Sequence, residues 1–101
     1  MDYVYRAKLV RCVDGDTAVF DVDCGFHIQH RIYARLTGVD TPERGQPDYN
    51  KATAMLENLI TMQTDKEGYV VIHTGKTGKY GRWLVVIQEV NEVLAEKWPY
   101  E

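Results

Sequence analysis

Ala34-Arg-Leu-Thr-Gly-Val-Asp-Thr-Pro-Glu-Arg-Gly45 begins as an apolar strand and ends in a stiff polar corner. Pro42 fixes its own φ and has no N–H to donate. It also drives Thr41 toward an extended conformation. A corner this constrained can aim Asp40, the Thr41 carbonyl and Glu43 at one point. Converging hard oxygens are what calcium or magnesium requires, although Asp and Thr also serve plain turns by capping backbone groups.

The residues on either side give the corner its frame. A strand from Phe26 to Leu36 leads into it, with His30, Ile32 and Ala34 on one face and Arg31, Tyr33 and Arg35 on the other. Before that strand, residues 3–13 alternate apolar and polar from Tyr5 onward, Asp14-Gly15 reads as a hairpin turn, and Thr17–Asp23 returns. Cys24-Gly25 marks a second turn, so the first three strands form an antiparallel meander. After the corner the period changes. Ala52, Met55, Leu56, Leu59, Ile60 and Gln63 follow helical spacing from about Asp48, with Asp48 or Asn50 as a candidate cap. Tyr69–Thr74 and Trp83–Gln88 read as fourth and fifth strands, and Asn91 as the N-cap of a short helix stopped by Pro99. The expected fold is therefore mainly β with helices: one domain over residues 1–101, a five-stranded OB-fold-type barrel with a helix between strands 3 and 4 and a short C-terminal helix.

Twelve basic and fifteen acidic residues among 101 give a formal charge of −3, which argues against a protein that coats nucleic acid by charge alone. A locally basic site remains, because residues 75–82 carry Lys76, Lys79 and Arg82 and no acid. Cys12 and Cys24 read as two thiols, and with His27, His30 and His73 they show no zinc-ligand spacing. No run of about 18 apolar residues is present, and no apolar signal region opens the chain. A monomer in the cytoplasm, away from any membrane, is the expectation.

Three loops carry charge beyond what turns need. Asp14 and Asp16 stand close together, and Asp40 adds a third acid. Close carboxylates repel unless a cation lies between them, and a divalent ion would relieve them. Arg35 and Arg82 suit a phosphodiester, since guanidinium forks hold phosphate oxygens and neutralise charge building at phosphorus. Glu43 suits the task of taking a proton from, or holding, an attacking water. Lys79 and Tyr80 could add a phosphate contact and a flat surface for a base.

Taken together, Val13-Asp-Gly-Asp-Thr17, Arg35-Leu-Thr-Gly-Val-Asp-Thr-Pro-Glu43, Lys79-Tyr-Gly-Arg-Trp-Leu84 and Val90-Asn91 resemble the staphylococcal (micrococcal) nuclease, or thermonuclease, family in a compact version. The four pieces stand in the family's order and span nearly the whole chain. The resemblance implies an OB-type barrel and a calcium-dependent nuclease, a metal-dependent phosphodiesterase acting on flexible or single-stranded DNA or RNA. It implies that Asp16 and Asp40 hold Ca2+ with the Thr41 carbonyl, with Asp14 just outside. It gives Glu43 the role of base or water-positioner, Arg35 and Arg82 that of phosphate ligands, and Lys79 and Tyr80 the nucleotide pocket. The loop after Glu43 is shorter than in the secreted enzyme, and few residues follow Asn91. The alternative is a non-catalytic OB-type module that binds nucleic acid or a protein.

Overall fold

The computed structural model describes residues 3–77 and 82–100. Its elements follow the order β1 (Tyr3–Cys12), β2 (Thr17–Asp23), β3 (Gln29–Leu36), α1 (Tyr49–Gln63), β4 (Val70–Thr77), β5 (Trp83–Val86) and α2 (Val90–Lys97). The strands close into a barrel in the order β1-β2-β3-β5-β4, with β4 pairing back to β1. All pairings are antiparallel except β3 with β5. This is the expected OB-type barrel, with α1 between the third and fourth strands and α2 after the fifth.

The alternation seen in the sequence is the inward face. Phe20, Val22, Ile32, Ala34, Leu36, Ile72 and Val85 all point into the core. Leu56 and Ile60 of α1 and Leu94 of α2 join them, each fully buried. Burying one such side chain contributes about 1.5–3 kcal/mol. A bulge at Val10, between the Leu9–Phe20 and Arg11–Val19 pairs, lets β1 coil enough to pair with both β2 and β4.

Four boundaries differ from the sequence expectation. Phe26–Ile28 belong to the β2–β3 turn rather than to β3, because Phe26 and His27 take left-handed backbone at φ 55° and 61°. The fourth strand starts one residue later and runs to Thr77, and the fifth stops at Val86. Asp48 occupies the N-cap position of α1 in left-handed backbone (φ 66°) without a side-chain capping bond. The helix start is held instead by the Tyr49 hydroxyl, which donates to the Val13 carbonyl at 2.7 Å.

Asn91 is the most informative correction. It lies inside the first turn of α2, which begins after Glu89, and is almost fully buried. Its side-chain oxygen accepts the Ile87 N–H at 2.9 Å, and its amide donates to the Thr37 and Val85 carbonyls at 2.9 and 3.1 Å. One side chain thus ties α2, β5 and the end of β3 together. Replacing it by Ala leaves the Ile87 N–H and the Thr37 carbonyl unpaired, while the Val85 carbonyl keeps the Thr37 N–H, so Asn91→Ala should cost about 3 kcal/mol in urea unfolding. A loss under about 1 kcal/mol would show that the amide is not a structural staple.

Candidate functional site

The β1–β2 connection and the corner after β3 meet at Gly15 and Thr41. Asp14-Gly15 is not a hairpin turn with positive φ; Gly15 lies outside the left-handed set of residues. What it needs is space. A Cβ there would stand 2.6 Å from Ala52 Cβ and 2.8 Å from the Thr41 side chain. The absence of a side chain lets the acidic loop sit directly against the corner and the first turns of α1. Within the loop, Asp14 Oδ1 accepts the Asp16 N–H at 3.0 Å, as in an Asx turn.

Asp16 is 7% exposed and organises the site. Its main-chain carbonyl accepts the Leu36 N–H at 2.8 Å. Its Oδ1 accepts the Thr17 hydroxyl at 3.0 Å, and its Oδ2 accepts the Thr41 N–H at 3.1 Å. Arg35 Nη2 lies 3.6 Å from Asp16 Oδ2 and 3.8 Å from Asp40 Oδ1, so one guanidinium nitrogen faces both carboxylates. Arg35 Nη1 also donates to the Leu36 carbonyl at 3.3 Å. Arg35 therefore offsets part of the charge excess expected of this loop cluster.

The corner forms one wall of a cleft of about 390 Å³ lined by Asp40, Thr41, Pro42, Glu43, Gln46 and Trp98. Glu43 is exposed on its lip, with its main-chain N–H donating to Gln46 Oε1 at 2.7 Å. Asp16 stands behind Thr41 rather than lining the cleft. The Thr41 hydroxyl is buried and without a hydrogen-bond partner, an uncommon state for such a group. Arg82, half-buried, immediately precedes Trp83, whose β5 position pairs with Ala34 beside Arg35. Lys79 and Tyr80 lie outside the described residues. Asp16, Arg35, Asp40 and Thr41 are thus brought together, and Glu43 adjoins them. Among the described residues, no three His, Cys, Asp or Glu side chains converge as a metal-binding group.

The sequence reading missed the chain's return over this site. The Asp40 N–H donates to the Trp98 carbonyl at 2.9 Å, Val39 bridges to Pro99, and the Tyr100 N–H donates to the Gly38 carbonyl at 3.1 Å. These bonds bring the Tyr100 ring to 5.4 Å from the Arg35 guanidinium carbon. Two aromatic residues flanking a proline at the end of a helix carry no sequence signal for that contact.

Burial first, then the neighbouring Asp16, pushes the Asp14 carboxyl up to about 6. An unfolded aspartate titrates near pH ~3.9, so the folded state resists ionisation of Asp14. Its contribution is intact below that pH and is lost as pH rises through about 6. Asp14→Asn keeps the acceptor oxygen and removes the charge. In chelator at pH 7.5 it should stabilise the fold by about 1 kcal/mol, discounted for partial exposure, and at pH 4 the advantage should vanish. Thermal unfolding at the two pH values is the check; an equal or lower melting temperature at pH 7.5 would contradict the burial argument. Compared with models of known families and with curated proteins, the sequence matches none of them.

Proposed function

We propose that this chain is a calcium-dependent phosphodiesterase acting on flexible or single-stranded DNA or RNA, of the kind its sequence motifs resemble. The observation that carries the reading is the convergence of Asp16, Asp40, Thr41 and Arg35 beside an open cleft with Glu43 on its lip.

The donor set fits a hard cation. Two carboxylates and a main-chain carbonyl are oxygen ligands of the type calcium takes, leaving the rest of its shell to water. The buried, unpartnered Thr41 hydroxyl and the loop packing that only Gly15 permits mark a place built for more than a turn. Asp16, Asp40 and the Thr41 carbonyl would hold calcium, which would supply neutralisation of the acids and polarisation of a phosphoryl oxygen.

The chain's own residues do the rest. Arg35 meets its acids only at 3.6 and 3.8 Å, so its fork retains N–H donors for phosphate oxygens. Arg82, at the start of the neighbouring strand, serves as the second phosphate ligand. Glu43 is exposed at the cleft, where a carboxylate can take a proton from water. Leu36 and Thr41 main-chain groups hold Arg35 and Asp16 in place, so the charged groups need little rearrangement to meet a phosphate.

A second reading has one observation in its favour. Arg35 already faces both carboxylates, as it would in a structural polar cluster of a binding module.

Digestion of denatured DNA at neutral to alkaline pH, with calcium or with chelator, separates the two. We expect cleavage with calcium only, and a loss of at least about a hundredfold in Glu43→Ala. Arg35→Ala would strand a buried carboxylate, so Arg35→Lys is the cleaner variant. It keeps the charge and loses the fork, and it should remain folded while the rate falls by about a hundredfold or more. Glu43→Ala or Arg35→Lys cleaving at the wild-type rate would overturn the assigned roles. Absence of cleavage, with calcium-independent binding weakened by salt, would favour the binding module.

A further inference from the structure

The barrel has a second opening, distinct from the cleft at Glu43. Here the inward faces of β1, β2, β3, β4 and β5 leave a cavity of about 370 Å³, lined among others by Tyr3, Tyr5, His30, Ile32, Ile72 and Trp83. The pairing register explains why these side chains look inward. Tyr5 pairs with the buried Ile72, Tyr3 with the buried Thr74, and His30 with the buried Val22. Their barrel layer is not filled: Tyr3 remains 56% exposed, and its ring stacks on that of Tyr5 at 6.4 Å between centroids. An aromatic-lined barrel mouth of this volume falls at the small end of ligand pockets.

We infer that this mouth is a nucleobase site, occupied by a base of the same single-stranded nucleic acid whose phosphate lies at Arg82. The inference rests on the nucleic-acid reading above and adds a subsite to it. Two features select a base over other flat apolar groups. The lining combines aromatic faces with the edge donors and acceptors of His30 and the tyrosine hydroxyls, which suits a ring that is flat above and polar at its rim. Arg82 and Trp83 are chain neighbours, so a phosphate ligand and a stacking face adjoin.

The test uses the whole protein in chelator, with adenosine and thymidine as probes, so neither calcium nor phosphate contributes. Proton–nitrogen NMR spectra should show the Trp83 indole and the Ile32, Ile72 and Thr74 amides shifting together, with a Kd of about 1–10 mM. The Trp98 indole, at the other cleft, should stay in place. Tyr3→Ala, at an exposed position, should weaken a short oligothymidylate in chelator by about tenfold, the size of one lost base–aromatic stack. Nucleoside shifts at Trp83 without any cleavage activity would uphold the base site while refuting the nuclease. Cleavage with no shift at Trp83 would overturn the base site and leave the nuclease standing. Equal shifts with phenol would overturn it too, by showing an unselective apolar cavity.

Discussion

The Asp16 carboxylate is the interaction on which the site depends. Its two oxygens and its main-chain carbonyl receive groups from Thr17, Thr41, Arg35 and Leu36, so the first hairpin loop, the end of β3 and the corner are joined at one residue. A buried charge is tolerated only when paired and hydrogen-bonded, and Asp16 is both. The same requirement gives the neighbouring chain its shape. The loop must lie close enough for the Thr41 N–H to reach Asp16, which is why Gly15 cannot carry a side chain.

Around that anchor the barrel supplies rigidity and the helices supply position. Among the described residues, the parallel β3–β5 pair is the one strand pairing that breaks the antiparallel order. It sets Arg35 opposite Leu84, with Arg82 two residues upstream on the neighbouring strand. Asn91 locks the far side of this pair by bonding to Thr37 and Val85, so Arg35 and the corner share one support. Trp98 and Tyr100 then close over the corner through main-chain hydrogen bonds. A site on element ends and tied loops holds its geometry better than one on a free loop.

The two openings differ in chemistry. The cleft beside Asp40 and Glu43 is polar and carries the charged groups, whereas the barrel mouth near Trp83 is aromatic. A strand of nucleic acid has this same division between charged backbone and flat bases.

Period-two alternation in β1–β3 and the helical stripe of α1 were legible because burial imposes those periods directly on residue type. The candidate residues Asp16, Arg35, Asp40 and Glu43 stood out in the sequence because their charge exceeds what local turns require. What the sequence alone could not decide was pairing at a distance. Asn91 has the composition of a cap, and only the approach of β3 and β5 makes it a buried staple. Gly15 has the composition of a hairpin turn, and only the packing of Thr41 and Ala52 shows that its role is space. Tyr100 reaches Arg35 through bonds from residues 98–100 to residues 38–40, which no local rule anticipates. Local residue patterns set the elements and the chemistry. Long-range contacts decided which groups meet, because hydrogen-bond partners and excluded volume exist only once the chain has closed on itself.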